Sequence, residues 1–515
     1  MLREIAYALL GLTALAYTVE FIFSLFDDPR EPPRVKAAIS LIGHIIGMIR
    51  EGKLYYNSLG AKVDSDMYMI SILGFKIYVC NSYRLIGAIH KNAKTLAFKP
   101  FVKLSMKKNS DVSDHAYEIG SGIMTDKLET AQRAALAPGA HLDAVTLRTA
   151  EAMLSGLSAL EAAVASKESV MLLAFLRHNI VQALAYGIYG STHPWKDPKV
   201  ETAFWTWHEY LPKMFMASLL AGKGFQNRQV VFDAYHNFFQ DLPDDTSEVF
   251  RERQRVYIEA GIEEADHIKL EAAWPLAIFS NTVPTAYWFM WELCSRPALL
   301  AEVRSEVEEV VIKTQKTADG PEFCLDIAAL RTRCRLLLSV LEETQRTRHI
   351  HASMCRVLED TVLDERYLLK KGYVVQLPGG PIHHDPNVYG SNAGQFEPHR
   401  FAPSDTHGNE GKVPTHAPTN RGFLAWGAPP HLCPARQFAA TELLLMASLL
   451  ILRFDIQLPS GRDRDPYPAL RASEIATLLS PKKDVALQMT VREEWRGKWS
   501  VAFGKEKSRV LLASG

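Results

Sequence analysis

Apolar residues along this chain recur at helical spacing far more often than they alternate. Between residues 127 and 308 they return every three or four positions through long runs with few breakers, which predicts helices over 146–165, 172–186, 199–221 and 263–293. Shorter strand-like stretches lie at 67–80 and 354–377. After residue 377 the chain turns rich in Gly, Pro, Asn and His as far as Pro434, then resumes as one apolar helix over 435–454. No internal repeat or low-complexity block stands out. The pattern describes a mainly α body with small β-sheets, and it needs no second domain.

The strongest local exception is the N-terminus. Residues 5–26 are almost wholly apolar apart from Thr13, Thr18, Glu20 and Ser24, and at about 22 residues the run is long enough to cross a bilayer core. A cleavable signal peptide is the rival, because Ala14-Leu15-Ala16 resembles a small-residue cleavage site. The run continues to Phe26, as a span does. Arg30, Arg34 and Lys36 follow it and only Arg3 precedes it, so the positive-inside bias leaves the body in the cytosol. Pro29, Pro32 and Pro33 cannot continue a helix and predict a stiff linker. The expected organisation is therefore a transmembrane anchor at 1–27, a proline-rich linker at 28–36, and one large domain at 37–515.

Composition narrows the function classes. Lys plus Arg and Asp plus Glu each number 58, and this neutrality removes the electrostatic reason to expect a nucleic-acid partner. Apolar residues make up 47% of the chain, which rules out disorder. Cys80, Cys294, Cys324, Cys334, Cys355 and Cys433 are scattered, which argues against a disulfide framework and fits a reducing compartment.

One cysteine stands apart. Cys433 lies in a Gly/Pro loop, Phe423 to Ala439, just before the last long helix. A thiolate there gains from the unpaired N–H groups of the helix N-terminus, as a soft anionic iron ligand requires. A buried structural cysteine in a turn is the alternative. The loop resembles the cysteine-ligand signature of the cytochrome P450 family, with Trp426, Gly427, His431, Cys433 and Arg436 on matching positions. Pro429 and Ala435 replace two glycines of that signature. Upstream, Glu343-Thr-Gln-Arg346 places an acid and a base on one helical face, and Phe396-Glu-Pro-His-Arg400-Phe401 resembles the family segment whose arginine completes a buried Glu-Arg-Arg cluster. The resemblance implies the P450 α+β fold, with haem b held by Cys433 and electrons delivered from NADPH by a P450 reductase. It further implies Arg356 and His431 as partners of the haem propionates, Trp426, Gly427 and Arg436 around the cofactor, and a single-pass endoplasmic reticulum location with the catalytic domain cytosolic. An additional Arg or Trp is usual in an early helix of the family, and Arg133 is the nearby candidate.

In this family a distal helix carries an acid followed by Thr, which deliver protons to dioxygen. Here Val283 and Pro284 occupy those positions within Phe279 to Ala286. Pro284 predicts a kink that frees the carbonyl of Ser280. Asn281, with Thr282 and Thr285 beside it, is then the candidate catalytic group, and the alternative is that Asn281 merely bonds to freed backbone. Asn281, the mid-helix proline and Trp426 resemble the branch that contains sterol 7α-hydroxylase and prostacyclin synthase. Phe204, Trp205, Trp207, Tyr210, Met214, Phe215 and Met216 crowd the helix where the family places its substrate roof, which suits a lipophilic, terpenoid- or steroid-like substrate, or else plain core packing. The leading expectation is a membrane-bound monooxygenase of secondary metabolism. An isomerase or peroxide-dependent haem-thiolate enzyme, and a catalytically silent haem protein, stand as alternatives.

Overall fold

Helix α1 (Leu2–Ser24) opens the chain in this computed structural model, which describes residues 2–120, 122–166, 169–318, 320–402, 422–427, 432–458, 467–504 and 508–514. Among the described residues no helix is long and apolar enough to cross a membrane. The transmembrane span expected over 1–27 is therefore not found. Arg3, Glu4 and Glu20 all fall within α1. The Glu20 carboxylate accepts hydrogen bonds from the Ser40 hydroxyl and, at 3.2 Å, from the Leu41 N–H, and so ties the helix back to the body.

Residues 28–36, read as a spacer, are likewise docked. Val35 donates to the Met69 carbonyl at 2.8 Å and Met69 donates to the Pro33 carbonyl at 2.9 Å, so the segment runs along β1 (Met67–Ile72). Beside it, the Lys76 ammonium pairs with Glu31 at 2.6 Å and Asp27 at 2.8 Å, and Arg34 pairs with Asp27 at 2.7 Å. The Tyr78 hydroxyl donates to Glu31 at 2.6 Å. Burial pushes both carboxyls up, yet these cations and the hydroxyl outweigh it and hold Asp27 and Glu31 below their ordinary values.

The expected strand regions meet in one sheet. β1 turns into β2 (Phe75–Cys80) through Leu73 and Gly74, both at positive φ, as a two-residue hairpin turn demands. With β3 (Leu96–Ala97), β4 (His351–Val357) and β5 (Val374–Pro378) the order is β1-β2-β5-β4-β3. Only β2 and β5 pair in parallel.

Most of the rest of the core is helical: α2 (Ala140–Ala165), α3 (Leu172–Tyr189), α4 (Pro198–Met216), α5 (Gly222–Gln240), α6 (Glu264–Ala273), α7 (Pro275–Cys294), α8 (Arg335–Arg348) and α9 (Arg436–Arg453), with Val170, Leu325, Phe454, Ile456 and Leu487 entering it from strands of smaller sheets. α9 is apolar nearly all round and correspondingly buried almost throughout, as is α7 beyond Val283. The single helix expected over 263–293 is two, because Pro275 cannot donate into a preceding turn and sits instead at the start of α7. α4 stops at Met216, where Ala217 leaves the helical region at φ −148° and ψ 63°.

Lys76→Met should leave buried Glu31 with only the more distant Lys370 ammonium, at 3.4 Å, and cost about 2 kcal/mol, read from the shift of a denaturant midpoint. Because the folded carboxyl values are depressed, the contribution should be full above the ordinary 3.8 and 4.5 and lost as pH falls through the lower folded values.

Candidate functional site

The site is built outward from a carboxylate. Glu343 and Arg346 lie one turn apart on α8, both fully buried, and Arg346 donates through Nε and Nη2 to the two carboxylate oxygens at 2.7 Å each. Arg400 adds Nε at 3.1 Å to both oxygens, and the Glu397 N–H adds another bond at 2.7 Å. The remaining guanidinium N–H groups reach backbone carbonyls: Arg346 to His383 and Ala393 at 2.6 Å and Gln395 at 2.8 Å, Arg400 to Tyr389 at 2.8 Å. Every strong donor is used.

This cluster fixes the meander that leads to the cysteine loop. Tyr389 donates to the Gly422 carbonyl at 2.8 Å, and the Leu424 N–H donates to His383 Nε2 at 2.9 Å. The next turn closes with Gly427 N–H to the Leu424 carbonyl at 3.0 Å, and Gly427 sits at φ 84°, where a side chain would be strained. The Cys433 N–H then donates to the Trp426 carbonyl at 2.8 Å, which holds the cysteine just ahead of α9. Ala435 lies at φ −90°, so the alanine fits where the family signature has glycine. Pro429 and His431 lie outside the described residues. Arg436 Nη1 donates to the Cys433 carbonyl at 3.3 Å. Burial pushes the Cys433 thiol up, while the Ala435 N–H and the Arg436 charge pull it down.

Cys433 faces a cavity of about 360 Å³ whose opposite wall is α7. Asn281, Thr282 and Thr285 line that wall, and Trp426 and Gly427 line the cysteine side. Pro284 stands within a helix that is continuous over Pro275–Cys294, and the Thr285 hydroxyl donates to the Asn281 carbonyl at 2.7 Å. Thr282 donates to Ile278 at 2.7 Å. Asn281 Oδ1 accepts from both the N–H and the hydroxyl of Thr477, at 3.0 and 2.9 Å. The backbone donor fixes which amide atom is oxygen.

Other expected residues stand elsewhere. Arg356 is outside the cavity lining. Along β4, Cys355 and Val357 point into a buried apolar cluster, and Arg356 between them points away, its guanidinium 5.8 Å from the Phe75 ring. Arg133 is paired with Glu129 at the surface, whereas its neighbour Gln132 lines the cavity. Phe204 and Trp207 of α4 are core residues, Phe204 packing edge-on against Trp195 and Phe279. Gln345, His349, Glu442 and Thr477 line the cavity and were not anticipated. Glu442 alone had a signal, a carboxylate inside an apolar helix. Burial pushes it well above the ordinary range.

The donor set suits a haem. Cys433 offers a thiol on the cavity wall at the N-terminus of α9, the kind of donor a haem iron takes. Buried Trp426 Nε1, Gln345 Oε1 and His349 Nδ1 have no protein partner and lie on the cavity wall, where a ligand's polar edge can satisfy them.

A family model described as Cytochrome P450 matches residues 277–487. The chain is 29% identical over 502 residues to the cytochrome P450 monooxygenase nodJ of Hypoxylon pulicicidum, with 95% of each chain covered. It is 23% identical over 517 residues to a cytochrome P450 monooxygenase of Gibberella zeae, with 96% of each covered. The cytochrome P450 monooxygenase poxD of Penicillium oxalicum is 23% identical over 88% of this chain and 93% of its own. These relatives are fungal monooxygenases, and the narrower likeness to sterol 7α-hydroxylase and prostacyclin synthase is not supported.

Glu343→Ala should leave Arg346 buried and uncompensated. The expected cost is about 3–5 kcal/mol in denaturant unfolding, accompanied by failure to retain cofactor.

Proposed function

We propose that the chain is a cytochrome P450 that inserts one atom of dioxygen into a lipophilic, terpenoid- or steroid-like substrate in secondary metabolism, a reading supported by the family model over residues 277–487 and by the monooxygenase relatives. The observation that carries this reading is Cys433 facing α7 across a partly open, mostly apolar cavity. A haem b bound there supplies dioxygen activation. Cys433 is its thiolate ligand, with Trp426, Gly427 and Arg436 shaping the loop around it. Trp426 offers an otherwise unpaired N–H to the cofactor edge. Glu343, Arg346 and Arg400 keep the loop in register without touching the reaction.

On the far wall, Leu184, Ile188, Ala277, Ile278 and Leu478 exclude water and receive an apolar substrate. Asn281, Thr282 and Thr285 are the polar groups at the reacting face. Thr282 and Thr285 spend their hydroxyl protons on helix carbonyls, and Asn281 spends its oxygen on Thr477, so its NH2 is left to meet a bound ligand.

Electrons come from NADPH through a P450 reductase in this reading, and the protein works at the endoplasmic reticulum membrane with its body in the cytosol. Exposed Leu10, Leu12, Leu15 and Phe21 on α1 support attachment to a membrane surface.

With reductase, NADPH and isotopically heavy dioxygen, turnover of a lipophilic substrate should place one heavy oxygen atom in the product. Turnover of an organic peroxide without reductase, and no label incorporation with it, would contradict the reading and favour an isomerase.

A further inference from the structure

Helix α7 offers no acid to the cavity, which it lines with Ala277, Ile278, Asn281, Thr282 and Thr285. Residues 469–482 form a hairpin-like return packed against that helix. Leu470 bridges Pro481, Arg471 donates to the Ser480 carbonyl at 2.9 Å, and Lys482 donates to Ala469 at 2.6 Å. The return is pinned from outside as well. Ile350 donates to the Thr477 carbonyl at 2.9 Å and Trp288 Nε1 to the Leu479 carbonyl at 2.8 Å. Gly52 passes so close that a Cβ on it would lie 1.9 Å from the Ala472 oxygen. Thr477 is thus held in the cavity wall, its hydroxyl bonded to Asn281.

Three residues earlier on the same return stands a buried acid. Glu474 is 6% exposed; its Oε2 accepts the Ser480 N–H at 2.6 Å, and its Oε1 has no hydrogen-bond partner in the protein. Arg471 Nε stands 3.9 Å from it. From the packed helices Arg177 on α3 acts on it directly, while His208 and Glu209 on α4 act on its cations, His208 beside Arg177 and Arg471 and Glu209 paired with Arg471; Asp484 also acts on Arg177. Arg177 lies over the Trp205 ring at 4.5 Å, and that ring meets His208 edge-on. Arg177 Nε, Trp205 Nε1 and His208 Nδ1 also lack protein partners. Several unpaired donors and acceptors around one buried acid make a place for ordered water.

We propose that Glu474 and Thr477 form the proton-delivery pair of this enzyme, with Asn281 as the residue that positions Thr477. The inference rests on the monooxygenase reading, in which the second oxygen atom leaves as water and takes up protons with the reductase's electrons. The Glu474 carboxyl gives its proton through water to the Thr477 hydroxyl oxygen as the Thr477 O–H turns from Asn281 Oδ1, still held by the Thr477 N–H, and passes its own proton to the cavity. Glu474 is reprotonated from solvent past the half-exposed Arg471 and Glu209. Only O–H bonds break and form. Burial pushes the Glu474 carboxyl above its ordinary 4.5 against the pull of Ser480 and Arg471, which suits an acid that must hold its proton.

The test uses the haem-loaded full chain with NADPH and reductase and no organic substrate, so that dioxygen consumption in light and heavy water is the readout. Imidazole binding to the iron checks the cavity, and infrared spectroscopy follows protonated carboxyls. Glu474→Gln and Thr477→Val should each lower dioxygen reduction to about a tenth or less with imidazole affinity unchanged. Thr477→Ser, which keeps the hydroxyl, should recover most of what Thr477→Val loses. Glu474→Gln should also delete one protonated-carboxyl band and flatten the decline of rate at rising pH. Unchanged dioxygen reduction in both variants, or no lost carboxyl band, would overturn the proposal. A loss of rate that Thr477→Ser does not rescue, or that comes with lost imidazole binding, would overturn it in favour of a purely structural role. If Glu474→Gln fails to take up haem, the two Thr477 variants decide alone. Failure of the parent itself to consume dioxygen with reductase strikes the monooxygenase reading instead.

Discussion

A carboxylate taken fully out of water is destabilising by several kcal/mol unless charge and hydrogen bonds replace its hydration. Glu343 meets that condition with two guanidiniums and a backbone N–H, and in doing so it gathers chain segments that have no other reason to meet. Arg346 and Arg400 turn their remaining donors on carbonyls between His383 and Gln395, so an irregular stretch acquires the rigidity that helices have by themselves. From there Tyr389 and His383 carry the constraint to Gly422 and Leu424, and the turn at Gly427 carries it to Cys433. A side chain on a loop is only as well placed as this chain of bonds allows.

The other wall is held by packing. α7 and α9 are apolar over most of their surface and have nowhere to go but the interior, so the cavity between Cys433 and Asn281 is bounded by two elements that cannot slide without exposing core. Polar groups enter this space sparingly, and most are already committed to a protein partner. Trp426 Nε1, Gln345 Oε1, His349 Nδ1 and the Glu442 carboxyl are not, and further unpaired groups lie behind the wall near Glu474.

What could be read from the sequence follows from where each interaction is local. The Glu343 and Arg346 pair sits on one helical turn, and the Cys433 loop is a compact run of Gly and Pro before an apolar helix, so both are visible as spacing. The return at 469–482 has neither periodicity nor a motif, and its part in the site comes wholly from tertiary contacts with α3, α4 and α7. Arg356 illustrates the same limit on a strand, since the sequence places it near the site and only the pairing of β4 decides which face it takes. The break at Pro275 was marked in the sequence by the proline itself, but the helical period on both sides hid it. At the N-terminus, apolar content suggested a span, while Glu20 and its bonds to Ser40 and Leu41 belong to a helix that leans on the body.

The central claim is that Cys433 is the axial thiolate of a haem in this cavity. The carbon monoxide complex of the reduced protein tests it most directly, because a thiolate opposite the bound gas moves the Soret band strongly to the red. The account expects that red-shifted band in the parent and its disappearance in Cys433→Ser. A band at the position given by a histidine-ligated haem, or a red-shifted band that survives the loss of Cys433, would contradict it.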